Sequence, residues 1–66
     1  MLGISIIIPA FNEEEGIGKT IERVVAYFKK LGKSFEIVVV DDGSTDRTRE
    51  IVRESMGKSS MVRLVE

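Results

Sequence analysis

At 66 residues the chain holds no more than one domain, and one that buries too small a share of its surface to be more than marginally stable unaided. With no cysteine and no histidine, disulfides, thiolate or imidazole metal ligands and a cysteine nucleophile are excluded, so any chemistry rests on carboxylates, hydroxyls and backbone. Ten basic residues against eleven acidic ones, a net charge of -1 without a basic block, argue against a nucleic-acid partner.

Ile4-Ser5-Ile6-Ile7-Ile8 is β-branched and nearly continuous in apolarity, which predicts a buried strand that Pro9 ends by removing a backbone donor. From Ile17 the apolar residues fall at Ile17, Ile21, Val24, Val25, Phe28 and Leu31, a helical period whose wet face carries Lys19, Glu22, Arg23, Lys29 and Lys30. Asn12 is the expected N-cap, with Glu13, Glu14 and Glu15 at the positive end of the dipole, Glu15 in box-like spacing with Asn12, and Gly32 at C′. Phe35 to Val40 reads as the second strand, ended by Asp41-Asp42-Gly43-Ser44. A second helix, capped by Ser44, Thr45 or Asp46, runs to about Ser55, with Ile51, Val52 and Met56 as its apolar side and Gly57 as its stop. Met61 to Val65 is the third strand.

The order β-α-β-α-β points to a parallel sheet. Right-handed crossovers stepping in one direction place both helices on one face, giving strand order 3-2-1, half of a Rossmann-like sheet. The first two strands are apolar at adjacent positions, as in strands covered on both sides, so the remainder of a larger domain or a second copy of the chain is expected on the bare face. The longest apolar runs fall far short of the roughly 20 residues of a membrane-spanning helix, and a strand-like run follows Met1 with no basic n-region. A cytoplasmic location is the expectation.

Two phosphate-binding patterns break down. Gly18-Lys19-Thr20 resembles the end of a P-loop, but the glycine needed five residues earlier is Glu13. Gly16-Ile17-Gly18 opens a dinucleotide fingerprint whose third glycine is Ile21, a full loop away from the strand that should feed it. A flexible first helical turn accounts for both glycines.

The loops after the first two strands, Pro9-Ala10-Phe11-Asn12-Glu13-Glu14 and Asp41-Asp42-Gly43-Ser44-Thr45-Asp46, lie where open α/β sheets receive ligands, outside the carboxyl ends of the strands. Here the chain resembles the family 2 glycosyltransferases of GT-A fold. Ser5-Ile6-Ile7-Ile8-Pro9-Ala10-Phe11-Asn12-Glu13-Glu14 is similar to their first-strand signature, and Ile37-Val38-Val39-Val40-Asp41-Asp42-Gly43-Ser44-Thr45-Asp46-Arg47-Thr48 to their second, at the usual separation. The likeness covers essentially the whole of 1–66 as a single partial domain. Its wording is closest to the polyprenyl-phosphate sugar transferases, dolichyl-phosphate mannosyltransferases among them.

The resemblance implies a transferase that moves a sugar from a UDP- or GDP-sugar to an acceptor, a polyprenyl phosphate, the membrane being met only through that lipid or through segments outside this chain. It places Pro9, Ala10 and Phe11 along the base and ribose, Glu13 at the nucleoside and Asp42 on the base, with Asp41 beside it. Phe11 stands where the family often has tyrosine, so the packing surface is kept and a hydroxyl is lost. It implies a divalent metal, Mg or Mn, in the parent enzyme, but the family's Asp-X-Asp ligands and general base lie later in the domain than Glu66. Neither catalytic nor metal-binding residues are therefore assigned to this chain, which is expected to be inactive alone; the alternative is a free-standing nucleotide-binding or self-assembling half-domain. Plainer roles stand beside these: Asp41 and Asp42 as caps of the second helix and its loop, Glu13 as a dipole residue, Phe11 as a staple on the first helix, and Asp46 and Arg47 as capping and solvating groups.

Overall fold

A computed structural model describes residues 3–66. The elements are β1 (Ile4–Ala10), α1 (Ile17–Leu31), β2 (Phe35–Asp41), α2 (Thr48–Lys58) and β3 (Val62–Val65). The strands form one parallel sheet in the order β1-β2-β3, the 3-2-1 arrangement expected from the crossovers. Ile6 lies opposite Ile37, and Ile37 opposite Val62; one step along, Ile8, Val39 and Leu64 share a row.

Side chains alternate across a strand, so these rows face the helices and the intervening rows face away. The buried core joins Ile37, Val39 and Val62 of the sheet to Ile17 and Ile21 of α1 and Val52 of α2, which places both helices on one face. At the lower end of α1, Phe28 packs on Phe35 with ring centroids 5.5 Å apart. The opposite face carries Ile7, 58 % exposed, with Val38, Val40 and Val65, and no helix of the described residues covers it. Its lower end is polar: Glu36 accepts from Ser5 Oγ at 2.6 Å and pairs with Arg63 at 3.3 Å. Among the described residues no helix is long and apolar enough to cross a membrane.

Several expected boundaries move. β1 does not end at Pro9 but continues through Ala10. Pro9 is tolerated because β1 is an edge strand: Ile4 N and Ala10 O bond toward β2, so the alternate Pro9 nitrogen points to the open edge, where no donor is required. α1 does not start after Asn12. It starts at Ile17, with Gly16 in the N-cap position and no side-chain cap, while Glu13 O accepts from Gly16 N and Ile17 N in the preceding turn. The capping box therefore does not form, and the first helical turn holds no acid. The other end is as expected, with Gly32 in the left-handed region at φ 68 and its N–H on Lys29 O. Gly57 does not stop α2, which runs to Lys58. Leu31 and Met56, assigned to apolar faces, are 49 % and 40 % exposed. Gly18 marks a close approach: a Cβ there would lie 3.2 Å from Ile51 Cγ2, so α2 crosses α1 at this residue.

Candidate functional site

Ala10 and Asp41 are register partners at the carboxyl ends of β1 and β2, so the two loops leave the sheet side by side. Pairing runs one step further, Asp42 N donating to Ala10 O at 3.0 Å. Beyond that the loops are joined by hydrogen bonds between residues 32 to 35 positions apart. Asn12 N donates to Ser44 Oγ at 2.9 Å, Glu13 N to Thr48 Oγ1 at 2.8 Å and Glu14 N to Asp46 Oδ2 at 3.2 Å. In return Thr45 N donates to Asn12 Oδ1 at 2.8 Å and Arg47 N to Glu14 Oε1 at 3.0 Å. The amides of Asn12, Glu13 and Glu14 are thus each held by a side chain of the second loop or of the start of α2.

Both hydroxyls in this set are oriented by carboxylates. Ser44 donates to Asp41 Oδ1 and Thr48 to Asp46 Oδ1. A hydroxyl has a single hydrogen and two lone pairs, so committing the hydrogen to a carboxylate turns a lone pair toward the incoming amide. Two parallel relays result, Asn12 N–H to Ser44 to Asp41, and Glu13 N–H to Thr48 to Asp46.

The Asp41 side chain is fully buried; besides the hydroxyl it accepts from Ser44 N at 3.1 Å and lies 3.8 Å from Arg49 Nε. The Ser44 hydroxyl holds its carboxyl below the ordinary value of 3.8; burial opposes this, and Ser44 N and Arg49 add to it. At Asp46 burial pushes the carboxyl upward, but bonds from the Thr48 hydroxyl, Thr48 N and Glu14 N outweigh it and leave the value lowered. The N-cap position of α2 is Arg47, without a side-chain cap, and not the expected Ser44, Thr45 or Asp46; Asp46 precedes it and accepts from Thr48 N at 2.9 Å.

Backbone geometry follows from the same set. Asn12 has φ 51, a left-handed conformation that asparagine adopts more readily than most residues, and it is held by the bonds at its N–H and its Oδ1. Gly43, at φ 82, makes the turn that brings Ser44 back onto Asp41 and leaves Asp42 outside.

The expected site residues separate into two groups. Ala10 and Asp41 are buried beneath the loops. Pro9, Glu13 and Asp42 are exposed, and Phe11 is 55 % exposed, so it is not a staple. The Asp42 carboxylate takes part in none of the hydrogen bonds or ion pairs of the described residues. An open hollow of about 370 Å³ is lined by Asn12, Glu13, Glu14, Glu15, Gly16 and Asp46. Its carboxylates repel anions, so it is no phosphate site. Among the described residues no group of three or more carboxylates is placed to hold a metal ion. The sequence offers Ser44 only as a candidate helix cap and gives Thr48 no role; the signal for both is the pairing of a carboxylate with a nearby hydroxyl, Asp41-x-x-Ser44 and Asp46-x-Thr48.

Comparison with known proteins adds the relationship. The chain is 44 % identical over 52 residues to an undecaprenyl-phosphate 4-deoxy-4-formamido-L-arabinose transferase of Edwardsiella ictaluri, covering 79 % of this chain and 16 % of that protein. To the protein of the same name in Pectobacterium atrosepticum it is 48 % identical over 52 residues, with the same coverage. A dodecaprenyl-phosphate galacturonate synthase of Rhizobium johnstonii is 39 % identical over 66 residues, 98 % of this chain and 20 % of that protein. The chain thus spans 16 to 20 % of the length of these relatives. A family model described as glycosyl transferase family 2 matches residues 5–66, which include both loops and all three strands but for Ile4, and the chain belongs to that family.

Proposed function

We propose that this chain is the nucleotide-recognition part of a glycosyltransferase that moves a sugar from a UDP- or GDP-sugar to a polyprenyl phosphate at the cytoplasmic face of a membrane. The observation that carries the reading is the contrast between two adjacent carboxylates: Asp41 is consumed within the fold, whereas Asp42, one residue on at the strand end, is exposed and unengaged. Family membership and the names of the polyprenyl-phosphate relatives support the acceptor class.

In this reading Pro9 and Phe11 lie along the base and ribose, with Ala10 setting the backbone beneath them through its bond to Asp42 N. Asp42 accepts from the base, Glu13 reaches the nucleoside, and Asp41 acts from below by fixing Ser44. Magnesium or manganese, which would offset charge on the leaving diphosphate, has no fitting ligand set here. Asp41 and Asp46 are occupied by Ser44 and Thr48, and among the described residues no three carboxylates are placed to hold a metal, too few oxygens for either ion. No step through a metal is derived, and residues 1–66 alone are expected to transfer no sugar.

Calorimetric titration of the chain with UDP, GDP, CDP and ADP tests the reading. Binding of UDP or GDP in preference to the other two is expected, with amide shifts at Phe11, Glu13 and Asp42; equal or absent binding of all four removes it. The bare apolar sheet face favours a second reading, a half-domain that self-assembles without catalysis. Metal-independent association with no nucleotide preference is its signature.

A further inference from the structure

We propose that Thr48 and Asp46, at the start of α2, are positioning residues that set the course of the first loop over its ligand. The inference rests on the nucleotide reading above and assigns roles to two side chains that need not touch the nucleotide. Their placement is built, not incidental. Thr48 is wholly buried, yet its hydroxyl satisfies a backbone amide 35 residues away, Glu13 N, while Asp46 takes the hydroxyl hydrogen with one oxygen and Glu14 N with the other. Together with Ser44 on Asn12 N, every amide from Asn12 to Glu14 is held from α2 or its approach.

The segment needs such holding. Asn12 lies at φ 51, and no helix begins until Ile17; Glu13 O accepts from Gly16 N and Ile17 N, but the N–H groups of residues 12–14 have no helical acceptor. Among the described residues these amides are reached from the start of α2, by Thr48 in its first turn and by Ser44 and Asp46 on its approach, and Val52 anchors that helix in the core one turn later. Phe11 and Glu13, both assigned to the nucleoside, flank Asn12 and take their directions from this turn. Thr48 and Asp46 therefore act on affinity through the backbone of residues 12–14.

Thr48→Val keeps the shape of the side chain and removes the hydroxyl, leaving Glu13 N without an acceptor and Asp46 with only the Thr48 and Glu14 amides as donors. Thr48→Ser keeps the relay. Val62→Ala, buried at the other end of the sheet, serves as a destabilised control. Amide hydrogen exchange in the ligand-free chain and calorimetric titration with UDP and GDP are measured on all four proteins below their melting temperatures. Thr48→Val should lose roughly tenfold in protection at Glu13 and Glu14 and roughly tenfold in nucleotide affinity, with Thr48→Ser close to wild type. Val62→Ala should lose stability without that local pattern. Unchanged exchange at Glu13 and Glu14 in Thr48→Val overturns the inference whatever the nucleotide result. So does wild-type affinity in Thr48→Val, or an equal affinity loss in Val62→Ala. Should wild type itself bind neither nucleotide, the reading of the previous subsection falls, and the functional half of this one with it.

Discussion

Ser44 folds its loop back onto Asp41, giving that carboxylate both its backbone N–H at 3.1 Å and its hydroxyl hydrogen, while the same hydroxyl accepts Asn12 N at 2.9 Å. A residue that is 2 % exposed thereby ties the end of β2 to the loop that follows β1. Ser44→Ala removes the acceptor of Asn12 N and one donor to the buried Asp41 carboxylate. An unsatisfied buried donor costs about 1–3 kcal/mol, and about 1 kcal/mol lowers the melting temperature of a domain of this size by roughly 4–8 °C. Thermal unfolding followed by circular dichroism should show a loss in that range. A change within about 0.5 kcal/mol, the ordinary scatter of surface substitutions, would mean that the relay contributes little.

The lowered carboxyls make the fold sensitive to acid. Asp41 and Asp46 sit below 3.8 because hydroxyl and amide donors favour their charged forms, and Glu36 sits below 4.5 through Ser5 first and Arg63 second. A group with a depressed folded value binds protons more readily when unfolded, so its contribution is complete above the unfolded value and lost as pH falls through the folded one. Stability should therefore be level above about pH 4.5 and decline below about pH 3.8. Urea midpoints between pH 7 and pH 2 measure this, and Ser44→Ala, which removes the leading cause at Asp41, should show a shallower decline. An identical acid profile for both proteins would assign the decline to other groups.

The sheet was legible because continuous β-branched runs and a helical period report burial, and its order because right-handed crossovers fix it; Ile17, Ile21, Ile37 and Val39 are buried accordingly. Asn12 was misread for a physical reason. Asparagine is favoured both as an N-cap and in the left-handed region, and local sequence does not show which of the two its side chain serves. Its real partner is Thr45, 33 residues away. Long-range bonds of this kind leave no periodic trace, so Ser44 and Thr48 looked like ordinary helix-start residues. The turn of Glu13 to Gly16 was hidden in the same way, since acids before an apolar period suit a first helical turn equally well.

The uncovered face of the sheet predicts association. Ile7 is 58 % exposed and Val65 46 %, with Val38 and Val40 between them, and the edge of β1 beyond Ile7 is unpaired. A contiguous apolar surface beside a free strand edge attracts another chain. Sedimentation velocity over a range of concentrations should show reversible self-association, weakened by Ile7→Lys, whose exposed position lets the ammonium reach water without disturbing the core. A wild-type chain that stays monomeric at high micromolar concentration with a cooperative thermal transition would show that the face needs no cover.

Asp42 and Asp41 are adjacent in sequence and opposite in circumstance, and their substitutions should separate accordingly. A carboxylate accepts and does not donate, so at the strand end it suits an N–H on the edge of a base. Uracil presents one at N3, and guanine presents N1–H beside its amino group, whereas cytosine and adenine offer a bare acceptor nitrogen at the matching position. Those two meet the carboxylate lone pair to lone pair. Because a hydrogen bond to a charged group is among the stronger ones, Asp42→Ala should weaken binding of UDP or GDP by roughly ten- to a hundredfold while hardly altering the weaker binding of CDP or ADP. Its melting temperature should stay near wild type, since the carboxylate is exposed and contributes no bond to the fold. Asp41→Ala should behave in the opposite sense, losing stability first, because Ser44 is left without its acceptor and Arg49 loses its buried ion-pair partner. Titration of the four diphosphates against both variants, with melting curves beside them, reads the two effects independently. An equal loss for all four nucleotides on replacing Asp42, accompanied by a fall in melting temperature, would reduce that residue to a cap of its loop.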